Sequence, residues 1–338
     1  MIFCLPTGKI YLSNSIIYSS QYTAVKVYLT EGIRLFSEMP DMKKAVPALC
    51  MAINSGVPVK TETAEFVIHS LTSRGVDINL DGGVLLQTCI RAENSSLVEL
   101  CLKSGAVPGI LHDTGFSMQS PLAAAVSLGW DDDCRSRPRN LNEDVRAAAI
   151  IDLLLDRGAN LSEKGIICKA AGNRSLDVIK KLIERGGSVH DRNDKGQTPL
   201  FFCADSLPVA RYLISMGADI NARDEEGKTP LMAAASFFGS DAKVVRVLLK
   251  SGAEINAQNK SGWTALMFAV TFGRKIVVEE LIRHGADISI RNRLQKTALD
   301  LAEESILRED GVLERRSEIL SPVKLLETHK PGRIQDMT

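Results

Sequence analysis

Residues 194–201 read DKGQTPLF, and nearly the same eight letters return as EEGKTPLM from Glu225 and as KSGWTALM from Lys260. Each copy places charged or polar residues before a glycine, then a threonine and a leucine. The glycine permits a tight turn, threonine can cap a helix, and proline is tolerated at the first helical position because no N–H is needed there. The predicted caps are Thr198, Thr229 and Thr264, followed in the first two copies by Pro199 and Pro230. The repeated stretch therefore predicts a turn that leads directly into a short helix.

A second recurring feature is a glycine that closes an amphipathic helix, as in ISMGADINARD, LKSGAEINAQN and IRHGADISIRN. These glycines are Gly217, Gly252 and Gly285, and the two intervals between them are nearly equal. The same position is held upstream by Gly186, Gly158, Gly105 and Gly75, with Gly32 as a weaker match. Glycine ends a helix readily in the left-handed conformation because it lacks a Cβ atom. The unit is thus a turn, a short helix, a loop and a second helix.

This unit closely resembles the ankyrin repeat, whose D-x-x-G-x-T-P-L opening and G-A-D-I-N close stand here almost unaltered. Its length also agrees with the ankyrin unit of about 33 residues. The pattern is strong over 193–299, has lapses over 75–192, and is weak over 20–74. The resemblance implies an all-α, curved solenoid of about seven repeats, some of them degenerate, in which the helix pairs are joined by β-hairpin or turn fingers. We expect an irregular segment at 1–20, the repeat array at 21–305, and a degenerate C-terminal cap and tail at 306–338.

Three units depart from the usual length. The unit from Gly105 to Gly158 is longer by roughly 20 residues. Its excess is a charged stretch, WDDDCRSRPRNLNEDV, near 130–145. We expect a mobile loop there, at the end of the repeats opposite the fingers.

The next two units are shorter than usual. The unit closed by Gly186 lacks the D-x-x-G-x-T-P-L opening, which predicts a truncated hairpin. The unit closed by Gly217 has Pro208 at the start of its second helix and a shortened loop between its helices.

The composition is that of a folded protein with balanced charge. Lys and Arg number 41 and Asp and Glu number 41, while 45% of the residues are hydrophobic. A neutral balance gives no sign of nucleic-acid binding, which usually needs a basic stripe. No apolar run reaches the ~20 residues that span a membrane, and the start of the chain lacks the charged n-region of a secretory signal. We therefore expect an intracellular protein, cytoplasmic or nuclear, although a secreted effector stays an alternative.

The seven cysteines show neither disulfide nor zinc spacing. They are Cys4, Cys50, Cys89, Cys101, Cys134, Cys168 and Cys203. No two are separated as in C-x-x-C, and the count is odd, so we interpret them as reduced, mostly buried thiols. Cys89 and Cys101 are expected to approach each other between the helices of one repeat, as core residues. We predict no cofactor and no metal site.

One cluster of reactive side chains could form a catalytic or metal site. It contains His112, Asp113, Asp131, Asp132, Asp133 and Cys134. A Cys/His nucleophile or a metal site needs a rigid frame, and Cys134 lies in the predicted loop. A charge run exposed to water is the preferred interpretation, and an enzyme site near 112–134 is the alternative. Because no P-loop, G-x-G-x-x-G, H-E-x-x-H or G-x-S-x-G occurs, we predict that the protein is not an enzyme.

The resemblance implies that a partner protein is held by the finger tips and by the exposed side of each first helix. The corresponding polar residues here are Lys195, Gln197, Glu225, Glu226, Lys228, Lys260 and Arg293, with Asp194, Ser261 and Lys296 beside them. Trp263 stands where the preceding units have Gln197 and Lys228, and Phe272, Phe237 and Phe238 can lie along the same groove. Aromatic anchors with a charged rim are typical of binding hot spots. Packing between repeats is the alternative interpretation of these rings.

A smaller signal concerns Asn79, Asn221 and Asn256, each with a leucine eight positions earlier. This spacing resembles the sites at which ankyrin repeats are hydroxylated on asparagine. The preferred interpretation is an asparagine that bonds the backbone of its own hairpin.

These observations together predict a non-catalytic scaffold or adaptor that binds a partner protein through the groove and finger tips. We expect a monomer, with no nucleic acid partner and no membrane insertion. The alternative is a regulatory ankyrin module that is attached to an enzyme or recruits one, such as a ubiquitin-ligase substrate adaptor or a host-directed effector.

Overall fold

The computed structural model of the chain describes residues 61–73, 75–113, 118–128, 141–237 and 242–308, together with Val46, Cys50 and Ile53. The predicted segment 1–20, positions 129–140 of the insertion, Phe238, and the tail after position 308 lie outside the described residues. The described chain divides into two compact units, with the boundary after Asn160.

The first unit contains five described helices and one short hairpin. The elements are α1 (Thr61–Ser73), α2 (Leu80–Arg91), α3 (Ser95–Lys103), β1 (His112–Asp113), β2 (Met118–Gln119), α4 (Pro121–Val126) and α5 (Leu141–Asp156). The two strands pair antiparallel, with His112 opposite Gln119. Helix α2 packs against α3 and α4, and α5 packs against α3 and α4. Helix pairs thus lie side by side, as the repeat predicts.

The second unit continues the same arrangement. Its elements are α6 (Ile166–Gly172), α7 (Leu176–Glu184), a 3₁₀-helix (Pro199–Phe202), α8 (Leu207–Ser215), α9 (Pro230–Ser236), α10 (Lys243–Lys250), α11 (Ala265–Thr271), α12 (Lys275–Arg283) and α13 (Ala298–Arg308). The first helices α6, the 3₁₀-helix, α9, α11 and α13 pack in one row, and the second helices α7, α8, α10 and α12 pack in another. Small residues such as Ala235 and Ala269, both 0% exposed, let neighbouring helices approach closely. The predicted all-α helix-pair fold is confirmed.

The glycine at the end of each second helix has the conformation that the sequence predicts. Gly217 has φ +85°, and the N–H of the next residue, Ala218, donates to the carbonyl of Leu213 at 3.0 Å. This bond across the helix end is the Schellman arrangement, which satisfies carbonyls that the helix leaves unpaired. The same positive φ occurs at Gly75, Gly105, Gly158, Gly186, Gly252 and Gly285.

Two of the three predicted threonine caps are confirmed. The Thr229 hydroxyl accepts from the N–H of Met232 at 3.4 Å, and the Thr264 hydroxyl accepts from Met267 at 3.3 Å. Thr198 makes no such bond, because the helix that follows it is a short 3₁₀-helix and not an α-helix. The unit closed by Gly217 is therefore shorter than usual in its first helix as well as in the loop between its helices. Pro208 does lie in the first turn of α8, as predicted.

The predicted loop near 130–145 extends too far at its C-terminal end, because helix α5 already begins at Leu141. The last five positions of the predicted loop, LNEDV, are therefore the first five of a helix. In the sequence, their polar and charged letters are equally compatible with a loop.

In the short unit closed by Gly186, the first helix is capped by a side chain that follows this glycine in the sequence. Helix α6 has Gly165 at its N-cap position and no capping side chain of its own. The two carboxylate oxygens of Asp191 accept instead from the N–H of Gly165 at 3.1 Å and from that of Ile167 at 2.9 Å. The equivalent positions hold alanine in the next two repeats, at Ala222 and Ala257, and isoleucine in the last, at Ile290. Asp191 therefore supplies from a distance what the cap threonine supplies in other repeats.

A buried carboxylate joins the second helices α10 and α12. Glu280 is 3% exposed, and Arg246 donates to both of its oxygens from Nε and Nη2, each at 2.9 Å. Arg283 donates to the same group at 2.8 Å. Hydrogen bonding from Arg246 holds the pKa of Glu280 below its usual value, so the charge stays in place when buried. The repeat pattern does not predict these ion pairs of Glu280 with Arg246 and Arg283.

The described cysteines, Cys50, Cys89, Cys101, Cys168 and Cys203, are buried and reduced, as predicted. Among the described helices, none combines the length and the apolar character that a membrane crossing requires.

Replacement of Asp191 by alanine would match the residue found in the next two repeats, yet we expect it to destabilise the second unit by about 1 kcal/mol, because two helix N–H groups lose their acceptor. Urea unfolding followed by circular dichroism measures the effect. Asp194→Ala is the control, since Asp194 is exposed and its ion pair with exposed Lys164 contributes little. Equal midpoints for the two variants would show that the distant cap is not stabilising.

Gly187 gives a second prediction, which is the opposite of what the repeat pattern suggests. The same position holds alanine in most other units, as at Ala218, and valine in one, at Val76. A Cβ atom at Gly187 would lie 2.7 Å from Cδ1 of Ile167 and 2.8 Å from the backbone oxygen of Leu182. We expect Gly187→Ala to lower the free energy of unfolding by roughly 1–3 kcal/mol through overpacking. Adding Ile167→Val removes one of the two clashes and should recover part of the loss in the same urea experiment. An unchanged or higher stability for Gly187→Ala would contradict the packing described.

Candidate protein-binding surface

Four fingers of the second unit, at 193–197, 224–228, 259–263 and 292–296, are each closed by one side-chain oxygen. In the third of these, Oδ1 of Asn259 accepts from the N–H of Ser261 at 3.0 Å and from that of Trp263 at 2.8 Å. The N–H of Asn259 donates in turn to the carbonyl of Trp263 at 3.0 Å. The same pair of side-chain bonds is formed by Asn193, Asp224 and Asn292 in their own fingers. Such a turn fixes the backbone of the tip whatever side chains the tip carries.

Neighbouring fingers are tied to each other through backbone groups. The N–H groups of Glu225, Lys260 and Arg293 donate to the carbonyls of Lys195 (3.0 Å), Glu226 (2.9 Å) and Ser261 (3.0 Å), respectively. A second set of bonds runs alongside, in which Nη1 of Arg192 donates to the carbonyl of Arg223 and Nη1 of Arg223 donates to that of Gln258, each at 2.9 Å. The tip side chains take no part in these bonds.

The glycine of each finger is needed because the next finger packs against it. A Cβ atom on Gly262, whose φ is +77°, would lie 2.9 Å from the backbone nitrogen of Arg293 and 2.9 Å from Cα of Asn292. In the last described finger this place is taken by Gln295, with φ +59°. No further finger follows it within the described residues, which end at position 308, so the larger side chain meets no neighbouring finger there.

The position before each cap threonine has a structural role in the first pair of fingers. Nε2 of Gln197 donates to Oδ2 of Asp224 at 3.2 Å, and its Oε1 accepts from Nδ2 of Asn193 at 3.1 Å. The amide of Gln197 thus bridges two fingers and is used within the scaffold. Sequence reasoning placed Gln197 with the variable tip and missed this bridge.

Trp263 occupies the same position two fingers later and cannot form that bridge. Asn292 opens the finger that follows Trp263, just as Asp224 opens the finger that follows Gln197. The side chain of Asn292 is 2% exposed, and its Nδ2 has no hydrogen-bond partner among the described residues. A buried unsatisfied donor costs about 1–3 kcal/mol. Stacking of Trp263 on another ring contributes about 0.5–1.5 kcal/mol beyond the area that the ring buries. Trp263 thus cannot accept from the buried Asn292 amide, and a donor of the scaffold stays without a described partner.

Trp263 belongs to a group of rings at the junction of the third finger and helix α11. Its ring centroid lies 5.1 Å from that of Phe268, with the planes tilted by 45°. Nζ of Lys228 lies over the Phe268 ring, 5.6 Å from the centroid. We call Trp263, Phe268 and Lys228 the aromatic cluster. Phe268 was not among the predicted site residues, although it stands in the helix five positions after the tryptophan.

The other predicted aromatic residues lie at the far end of the first helices. Phe272 is 50% exposed and follows Phe268 by one helical turn, so the two rings share one face of α11. Phe237 holds the equivalent place after α9 and is partly exposed. Phe238 lies outside the described residues. Trp263 thus precedes helix α11, Phe268 lies within it, and Phe272 follows its last residue.

The finger tips are exposed in every finger of the second unit. Lys195, Glu225, Glu226, Lys260 and Arg293 are all exposed, as are Asp194, Ser261 and Leu294, whereas Lys228 and Lys296 are partly exposed. Lys296 pairs with Glu304. No described carboxylate forms an ion pair with Lys228, Lys260 or Arg293. The aromatic cluster and the tips beside it thus carry three cations whose charge is not neutralised by described residues of the chain.

The alternative enzyme site is tested only in part by the structure. His112 and Asp113 lie on β1, and their side chains are not described. Asp131, Asp132, Asp133 and Cys134 lie outside the described residues. Within the described ranges, no three His, Cys, Asp or Glu side chains converge as a metal site requires.

The three asparagines with the hydroxylation-like spacing bond the following repeat and not their own hairpin. Oδ1 of Asn221 accepts from the N–H of Glu254 at 2.9 Å, and its Nδ2 donates to the carbonyl of Gly252 at 3.1 Å. Asn79 makes the same two bonds to Val107 and Gly105, and Asn256 accepts from the N–H of Asp287. The preferred interpretation was therefore right in assigning these residues a structural role but wrong about the partner.

Comparison with known families agrees with the geometry. A family model described as "Ankyrin repeats (3 copies)" matches residues 144–224, 167–259 and 231–312. The chain belongs to the ankyrin repeat family. Together the matches run from position 144 to position 312, which is half of the chain. A search of curated proteins finds no match.

Ankyrin repeats are in general protein–protein interaction modules, and this ankyrin chain carries exposed, variable tips on a bonded scaffold. Backbone groups and the first side chain of each finger form most of these hydrogen bonds, and the side chains at the exposed tips vary.

Proposed function

We propose that the protein is a non-catalytic scaffold or adaptor that holds one partner protein on the second unit, over the aromatic cluster and the tips around it. The observation that carries this proposal is the presence of a tryptophan at position 263. This tryptophan replaces a bridging side chain, leaves the buried amide of Asn292 without a described partner, and presents a large ring beside Phe268. A residue that breaks a local rule of a regular scaffold, here by leaving a buried donor without a partner, is expected where a position serves a role outside the scaffold.

The binding surface is centred on three rings and bounded by charged tips. Trp263 and Phe268 supply a rigid apolar patch, and Phe272, half exposed, extends it along α11. Aromatic residues lose little entropy on binding and are enriched at hot spots. The backbone beside the patch is fixed by two hydrogen bonds. Trp263 N–H donates to Asn259 Oδ1, and Met267 N–H donates to the Thr264 hydroxyl, so the patch is ordered before a partner binds.

The charges around the rings indicate the chemistry of the partner. Lys228, Lys260 and Arg293 lie at or next to the cluster, on three successive fingers, without a described acidic partner. Glu225 and Glu226, on the tip next to Lys260, carry the opposite sign. We infer a partner segment with one aromatic or aliphatic anchor for the cluster and acidic residues facing the three cations. A basic residue beyond them would face the two glutamates, which would fix the direction of the segment.

The experiment uses the full chain and a displayed library of random peptides. Selected peptides should combine an aromatic or large aliphatic residue with acidic neighbours, and Trp263→Ala should weaken their binding roughly 30-fold, the effect of a hot spot worth about 2 kcal/mol. Isothermal titration calorimetry measures the affinity. Phe272→Ala should also weaken binding, and because Phe272 is half exposed it should leave the melting temperature nearly unchanged.

Met216→Ala is the matched control, because Met216 is also an exposed apolar residue, 46% exposed, at the end of the second helix α8. It should affect neither affinity nor melting temperature. Selected peptides whose binding is reduced equally by Met216→Ala and by Trp263→Ala would overturn the proposed surface. Peptides that bind the Trp263→Ala and Phe272→Ala variants as tightly as the natural chain would do the same.

A further inference from the structure

Two buried thiols face each other within one helix pair of the first unit. Sγ of Cys89, on α2, lies 3.7 Å from Sγ of Cys101, on α3. Both residues are 0% exposed. The corresponding positions of the last complete repeat hold Ala269 and Leu281, so the repeat fold does not require a pair of thiols there.

The two helices that carry these thiols are joined by a short and well-bonded turn. Oδ1 of Asn94 caps α3 by accepting from the N–H of Leu97 at 3.1 Å, and the N–H of Asn94 donates to the carbonyl of Cys89 at 3.3 Å. The turn contains Glu93, with φ +53°. The thiols are therefore held against each other by local structure and do not meet through a mobile loop.

We propose that Cys89 and Cys101 form an oxidation site, at which a reversible disulfide locks helices α2 and α3 together. The bonded sulfurs of a disulfide are about 2 Å apart. The two thiols must therefore approach each other from their present contact distance, and rotation about the Cα–Cβ bonds supplies part of that movement. The proposal is independent of the partner surface, which lies in the other unit.

The reaction removes two protons and two electrons from the pair. One thiol loses its proton, and its sulfur bonds to an oxygen of peroxide, breaking the O–O bond, or to a nitrogen of an azo group, opening the N=N double bond. The second thiolate then attacks that sulfur; the S–S bond forms, the S–O or S–N bond breaks, and water or the hydrazine leaves after protonation. With hydrogen peroxide the two electrons reduce the peroxide to water, and with an azodicarboxamide oxidant they reduce its N=N bond to a hydrazine. A dithiol reductant reverses the step.

Burial makes this site respond to opening of the helix pair. The hydrogen bond to Cys101 and burial raise the pKa of the Cys89 thiol well above its usual value, and the nearby Cys50 raises it further. Thiolate, not thiol, is the reacting form, so the closed pair reacts slowly. Oxidation should therefore follow local opening and speed up in low urea, and the disulfide should then hold the pair closed.

The test treats the full chain with diamide in increasing sub-denaturing urea. We expect the intact mass to fall by two hydrogen atoms, a peptide map that joins Cys89 to Cys101, and a rate that rises with urea. The oxidised chain should unfold about 5 °C higher than the reduced chain, because the bond limits the unfolded state. Treatment with tris(2-carboxyethyl)phosphine should restore the original mass and melting temperature.

Matched variants separate this pair from other buried thiols. Cys89→Ala and Cys101→Ala should each abolish the mass change, whereas Cys168→Ala, which removes a similarly buried thiol in the other unit, should not. Cys50→Ala should leave the cross-link intact. Should a cysteine variant fail to fold, the peptide map of the natural chain still decides the pairing.

Three results would overturn the proposal. One is alkylation of both thiols by N-ethylmaleimide in urea that produces no cross-link with diamide. Another is a map that joins Cys50 to either residue in place of the proposed pair. The third is a correctly paired disulfide that lowers the melting temperature, which would show that the bond strains the helix pair and does not lock it.

Discussion

A single side-chain oxygen in each finger holds the arrangement on which the second unit depends. Oδ1 of Asn259 and its equivalents accept two backbone N–H groups, which closes the finger into a fixed shape. The fixed finger lets the next one donate to its tip carbonyl, and the glycine of the finger leaves room for that approach. Because the bonds use backbone atoms and the first residue of the finger, the tip side chains are free to differ.

This division between constant and variable positions explains how a regular fold can carry a specific surface. Tip residues such as Lys260 and Glu226 are exposed and can change without loss of a scaffold bond. Trp263 is different, because its position is structural in an earlier finger, where Gln197 bridges two neighbours. Trp263 thus stands where the first finger has a scaffold contact, and the proposed surface is built on that difference.

Much of the fold could be predicted from the sequence because the signals are local and repeated. The closing glycines, the caps at Thr229 and Thr264, and the helix pairs follow from short motifs in register. What could not be predicted depends on contacts between repeats. Asp191 caps a helix that lies before its own finger, Glu280 is clamped by an arginine on another helix, and Asn221 bonds the next repeat. The sequence did offer one signal for the role of Asp191. It is a charged residue at a position where the next two repeats have alanine.

The candidate surface was predicted in part for the same reason. The tip residues were identified because the motif marks them, and Trp263 because it departs from its neighbours. Phe268 was missed because apolar residues at that place in the helix, such as Leu301 in the last described helix, can be buried. Only the spatial contact with Trp263 and Lys228 distinguishes it.

The most direct test of this account compares two adjacent residues of one finger by equilibrium urea unfolding of the full chain. Asn259→Ala removes the acceptor of two backbone N–H groups and should lower the free energy of unfolding by about 1–2 kcal/mol. Lys260→Ala changes an exposed tip and should shift it by no more than about 0.5 kcal/mol. Equal losses for the two variants, or a larger loss for Lys260→Ala, would contradict the separation of scaffold from binding positions.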